Sequence, residues 1–194
     1  MENRIEIPPV EDLEKELQRV KAAKRRNGRI GGALCVLATL VAAAVLAVTL
    51  WLPIVRVYGS AMEPALHRGD CLVAMAGREY QCGDVIAFYH NNTIQVRRIA
   101  AGPGSWVQID ENGVITVDGV TLEELYPGQN APGQCDLTMP YQVPDGCYFV
   151  LGDNRAESID SRSSVMGCVS EDRIIGRILF RVWPLDSLGT ISGN

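Results

Sequence analysis

Twenty-six consecutive residues without a charge, Ile30 to Val55, restrict this chain more than any other feature of its sequence. At ~1.5 Å per helical residue the run outspans a ~30 Å hydrocarbon core, so it predicts one transmembrane helix. Arg19, Lys21, Lys24, Arg25, Arg26 and Arg29 crowd its N-terminal side, and only Arg56 follows it closely. The positive-inside bias then puts the N-terminus in the cytoplasm, Trp51 near the outer interface and everything beyond outside. Ala42, Ala43, Ala44 and Ala47 offer small residues for a signal-peptide cleavage site. The run is nevertheless much longer than the ~7 to 15 apolar residues of a cleavable signal. The expected organisation is a charged cytoplasmic leader (1–29), a retained single-pass plasma-membrane anchor (30–55) and an extracytoplasmic domain (56–194).

That last segment has 139 residues (194 minus 55), enough for one hydrophobic core. After Val55 there are ten arginines against seventeen acidic residues, a balance that argues against nucleic acid as a partner. All three lysines, Lys15, Lys21 and Lys24, precede the anchor. In the leader, Val10, Leu13, Leu17 and Val20 recur at helical spacing behind Pro8-Pro9. They predict a short solvated helix, to which no chemistry is assigned. Beyond the anchor come CLVAM, DVIAFY, TIQVRRI, WVQI, GVITV, CYFVLG and RILFRVW, parted by RGD, NN, GPG, ENG, DG and PDG. Short β-rich runs between turn signals predict a mainly β, antiparallel domain. Hairpin turns are expected at Asn112-Gly113 and Asp118-Gly119, and one helix start at about Ser170 to Arg173.

Besides Cys35 in the anchor there are Cys71, Cys82, Cys135, Cys147 and Cys168. The odd number leaves at least one unpaired within the domain, and one or two disulfides fit an oxidising compartment, in a pairing the sequence does not reveal. With no CxxC spacing and only His67 and His90, no metal site is expected, and no cofactor either. The two histidines are expected in solvated loops, and Trp106 and Trp183 as core residues or membrane-interface anchors.

Four stretches stand in order behind the anchor: VYGSAMEPALHRGD (Val57 to Asp70), GDVIAFY (Gly83 to Tyr89), VRRIAAGPGSWVQI (Val96 to Ile109) and VPDGCYFVLGDNRAESIDSRSSVMG (Val143 to Gly167), with RVWP near the end. Together they resemble bacterial type I signal peptidases, membrane-bound endopeptidases that remove signal peptides from exported proteins. The block GDNRxxSxDSR matches at Gly152, Asp153, Asn154, Arg155, Ser158, Asp160, Ser161 and Arg162. The resemblance implies a mainly β catalytic fold with an apolar surface on the outer leaflet, and a Ser/Lys dyad. In such a dyad a serine hydroxyl gives its proton to a lysine whose pKa desolvation has lowered.

Here the pattern G-x-S-M-x-P-T-L reads Gly59-Ser60-Ala61-Met62-Glu63-Pro64-Ala65-Leu66, and V-K-R-I reads Val96-Arg97-Arg98-Ile99. Ala61 holds the nucleophile's place and Arg97 the base's. Alanine has no nucleophile, and a guanidinium does not accept a proton at working pH. Moving the nucleophile to Ser60 leaves only His67 or His90 as a neutral base, since no lysine follows the anchor. The resemblance implies that Ser158 supports the base while Asp160 and Arg162 brace the loop; a purely architectural role for the three is the alternative. It also implies that Met62 and Pro64 shape the turn, that Gly59 lets substrate approach, and that the N–H of residue 61 serves an oxyanion hole. Arg97 has three open fates: an ion pair with Asp160, a carbonyl, or a bound carboxylate. Ala61, Arg97 and Ala65 make three departures at one site, which fit natural degeneration better than a single engineered knockout. The expected function is a non-catalytic holder or assembly chaperone of exported polypeptides, with sortase or pilus components among its partners beside membrane lipid. The alternative is a type I signal peptidase seen as a dyad-substituted variant.

Overall fold

Valine, isoleucine and aromatic residues fill the segments between turn signals, and those segments are the strands. In the computed structural model, residues 15, 19, 21, 32, 34–46, 52–77, 79–122, 131, 133 and 135–191 are described. The chain divides into two units, Met1–Leu50 and Trp51–Asn194. In the first, residues 34–46 are helical with exposed side chains. Among the described residues no helix is long and apolar enough to cross a membrane. Most of the expected leader helix, several residues of the expected anchor and Trp51 lie outside the described residues.

The second unit carries two antiparallel sheets. The larger runs β1 (Ile54–Arg56), β2 (Cys71–Met75), β11 (Ile174–Trp183), β3 (Val85–His90), β4 (Thr93–Ala101), β9 (Cys147–Leu151) and β10 (Val169–Ser170), with β12 (Gly189–Thr190) also on β11. The smaller is ordered β7 (Val120–Thr121), β6 (Ile115–Val117), β5 (Trp106–Ile109) and β8 (Tyr141–Gln142). All seven runs expected as strands fall in strands. The expected helix start is a single 3-10 turn, Glu171–Arg173. Asp118 and Gly119 both take positive φ (52° and 81°) in the hairpin between β6 and β7, and Gly113 (82°) turns β5 into β6. The placement of the membrane boundary at Val55 needs correcting: Ile54 and Val55 belong to β1, where Val55 is buried against Leu72 and Val57.

β3 shows how the core is organised. Val85 and Ala87 pack into a cluster with Met62, Leu66 and Ile178, while Ile86 and Phe88 pack into another with Ile99 and Val150. A strand alternates its side chains, so β3 is covered on both faces and reads as an unbroken apolar run. A third cluster, around Val107, Ile115, Phe149 and Leu151, joins the smaller sheet to β9. Outside the core, Ile54, Val73 and Phe180 lie in register across β1, β2 and β11, with Ile54 and Phe180 exposed. Trp106 and Trp183 are about half-exposed, so neither is a core residue. All six cysteines are unpaired, which sets aside the expected disulfides.

Candidate functional site

The turn after β1 is anchored by two apolar side chains. Met62 and Leu66 are sealed in the core, and the backbone closes above them, Glu63 N–H donating to Ser60 O (3.1 Å) and Leu66 N–H to Met62 O (2.8 Å). Below, Val57 N–H donates to Asp70 O and Gly69 N–H to Val57 O. The buried Asp70 carboxylate accepts from His67 N–H and from Arg181, which also reaches Ala65 O. Gly59 sits at φ 92°, a left-handed conformation suited to glycine. Pro64 lies on the exposed side.

Ala61 is thereby held half-buried. Its carbonyl accepts from Asn154 N–H at 3.0 Å, and its own N–H has no partner among the described residues. Beside it the Ser60 hydroxyl donates to the Glu157 carboxylate at 2.7 Å, and Asn154 Nδ2 donates to Ser60 O at 3.3 Å. Neither histidine takes part: His67 is exposed, and His90 bonds Asn91.

β4 supplies the second position. Adjacent strand residues project to opposite sides, and Arg97 and Arg98 part accordingly. Arg98 forks onto Asp153 with two 2.8 Å contacts and reaches Gly83 O. Arg97, 6% exposed, donates Nε–H and Nη2–H to Ile159 O (3.2 and 2.9 Å) and Nη1–H to Val96 O (2.6 Å). Of its three open fates the carbonyl is realised and the ion pair with Asp160 is not. Burial lowers the Arg97 pKa from the ordinary arginine value, and the charge of Asp160 opposes that shift. Arg97, Ala61, Tyr58, Met62, Ile94 and Val96 line one small recess, half polar and half apolar at its surface.

The loop after β9 frames the recess. Asp160 is 1% exposed and accepts from the Ser158 hydroxyl, from Gly152 N–H (3.0 Å) and from Arg162 through Nε and Nη2 (both 2.9 Å). Burial alone would raise the Asp160 pKa; hydrogen bonds and charge from Arg162, with Ser158 and Gly152 N–H, outweigh it and hold the carboxyl below its usual range. Arg162 also donates to Ser158 Oγ and Arg155 O. Ser161 bridges Val150 N–H and Gly167 O, tying the loop to β9. Gly152 is fixed by proximity: a Cβ there would stand 2.3 Å from Ser158 Cβ and 2.5 Å from Ala61 O.

The structure thus gathers Gly59, Ala61 and Met62 beside Arg97, joins Ser60, Asn154, Ser158, Asp160, Gly152 and Arg162 to them through one hydrogen-bond network, and places Asp153 on Arg98. Ser158 turns its hydroxyl to Asp160 and accepts from Arg162; among the described residues no hydrogen bond joins it to Arg97. Two participants went unrecognised in the sequence. Glu157, partner of Ser60, falls at a variable place between matched motif residues, and Arg98 was signalled only by the arginine doublet. Among the described residues no group of three His, Cys, Asp or Glu side chains is placed to hold a metal.

The family model described as signal peptidase, peptidase S26, matches residues 30–183. "Probable signal peptidase I-1" of Synechocystis sp. is 35% identical over 148 residues, covering 67% of this chain and 70% of that protein. "Signal peptidase I T" of Bacillus subtilis is 32% identical over 145 residues, 68% of this chain and 74% of that one. "Signal peptidase I" of Bacillus licheniformis is 28% identical over 182 residues, 87% and 96% of the two chains.

Proposed function

We propose that this chain, which belongs to the signal peptidase family, peptidase S26, engages exported polypeptides at their signal peptides and, as its sequence stands, holds them without cleaving. The reading rests on one observation: a methyl group and a guanidinium occupy the two places where the dyad needs a hydroxyl and a neutral amine. The rest of the arrangement is suited to holding a peptide. An extended segment binds by backbone hydrogen bonds and shallow pockets for alternate side chains, neither of which needs the dyad. Ala61 N–H, without a partner among the described residues, and the small recess beside it offer one donor and one small pocket. Anchorage by the apolar run that begins at Ile30 and ends before β1, with the N-terminus cytoplasmic and the β domain outside, is part of the proposal, as is contact of the exposed Ile54 and Phe180 surface with lipid.

A second reading has specific support, because the relatives named above are signal peptidases. On that reading the chain is a processing enzyme substituted at its two reactive positions, and the holding state is what remains of it. The sortase and pilus partners expected from the sequence have no support in those relatives' names.

The test is incubation of the purified full chain, in detergent, with a preprotein carrying small residues at −3 and −1, scored for cleavage and for co-elution. Co-elution without cleavage is expected. Cleavage abolished by Ser60→Ala, or by Glu157→Gln, would overturn the proposal and install Ser60 as nucleophile.

A further inference from the structure

Arg97 is a buried cation with an incomplete set of partners. Its five N–H donors make three hydrogen bonds, all to backbone carbonyls, which leaves one N–H on each terminal nitrogen without an acceptor among the described residues. Among the described residues no carboxylate stands within ion-pair distance of it; Asp160 is taken by Arg162 and Asp153 by Arg98. A guanidinium stays charged, and burying a charge without an opposite one is unfavourable. The adjacent Arg98, more exposed than Arg97, has a bidentate carboxylate. Arg98 and Arg162 each have a carboxylate partner, and Arg97 has none among the described residues.

The missing group has a place to sit. The recess beyond the guanidinium is walled by Tyr58, Met62, Ile94 and Val96, and at its side lies the N–H of Ala61, which has no partner among the described residues. The recess is small, so only a small group enters it. The backbone of an internal stretch of polypeptide brings no charge there, whereas a chain that ends in a small residue brings a carboxylate on its last carbon.

Building on the peptide-holding reading, we infer that the Ala61/Arg97 recess is a receptor for peptide C-termini: it takes peptides that end in a small residue with a free α-carboxylate, which the two free Arg97 donors engage. Such ends are made by hydrolysis of a peptide bond after a small residue, so the reaction that supplies this ligand is proteolytic cleavage by another protein. The substitution of lysine by arginine then has a positive consequence: it replaces a group that must lose its charge by one that matches a carboxylate with two hydrogen bonds.

The experiment uses the full chain in detergent and three fluorescent peptides of one sequence, read by anisotropy: one ending Ala-x-Ala as free acid, the same as C-terminal amide, and the same extended by several residues. The free acid is expected to bind at least about tenfold more tightly than the amide or the extended peptide. Arg97→Gln is expected to abolish the difference between acid and amide binding, and Arg97→Lys to keep part of the preference. Melting curves establish that each variant folds; should Arg97→Gln not fold, the acid and amide comparison on the unmodified chain decides alone. Equal binding of acid and amide overturns this inference and leaves peptide holding intact. Binding by none of the three overturns peptide holding, and this inference falls with it.

Discussion

The loop from Gly152 to Arg162 and the turn from Gly59 to Pro64 meet along one seam, at Asn154 and Ala61, yet they differ in how charge is paired: the loop holds a buried carboxylate–guanidinium pair, whereas the turn faces a guanidinium bonded to carbonyls. In the loop, Asp160 collects three kinds of donor and Arg162 spreads its guanidinium over Asp160, Ser158 and Arg155 O. In the turn, Ala61 N–H has no partner and Arg97 across from it meets carbonyls but no anion, among the described residues. A site needs a frame and reactive groups, and here the two are built by different residues. The frame depends on Asp160, Arg162 and Gly152, none of which requires serine at 61 or lysine at 97. Loss of chemistry therefore does not entail loss of architecture.

The largest way to break this contrast is to remove one member of the buried pair. Arg162→Ala strands Asp160, and stranding one partner of a buried ion pair costs about 3–5 kcal/mol. Urea unfolding followed by circular dichroism checks it; a loss near zero would mean that the loop is not the frame. Next comes Gly152→Ala, whose Cβ meets Ser158 and the Ala61 carbonyl well inside contact distance. Overpacking of this kind costs on the order of 1–3 kcal/mol, and because it presses loop and turn apart it should also weaken peptide binding.

Acid sharpens the comparison further. Asp160 has a lowered pKa in the folded state, so its contribution is complete above the unfolded carboxylate value of about 4 and is lost as pH falls through the folded value below it. Unfolding midpoints should therefore drop as pH falls below about 5, where the unfolded carboxylate begins to take up protons, and Asp160→Asn should flatten the drop while lowering stability at neutral pH. The smallest effect is expected on the other side of the seam. Ala61→Ser adds one hydroxyl at a half-buried position and should shift stability by no more than about 0.5 kcal/mol.

Much of this was legible in the sequence because the strands announce themselves by β-rich runs bounded by turn residues, as CLVAM does in β2 and WVQI in β5. The two-residue strands β7, β8, β10 and β12 carry no such run; they exist because a longer neighbour offers its edge. The anchor boundary slipped for a related reason: Ile54 and Val55 are as apolar as the residues before them, and only pairing with Val73 and Leu72 marks them as strand. At the site, motif spacing located the residues but not their hydrogen bonds. Whether Ser158 addresses the base or Asp160 depends on a hydroxyl rotamer, and whether Arg97 finds an anion depends on which arginine the fold places against Asp160. Neither choice is written in residue type or spacing.

The central claim is that the frame is whole and only two groups are missing from it. The measurement that tests it most directly is cleavage of a preprotein with small residues at −3 and −1 by the double variant Ala61→Ser, Arg97→Lys, beside the unmodified chain. In the variant a hydroxyl and an amine return to their places, and desolvation at a position now 6% exposed lowers the amine's pKa toward working pH. The account predicts cleavage by the double variant and none by the unmodified chain. A double variant that folds with wild-type stability and does not cleave, or an unmodified chain that does, would contradict it.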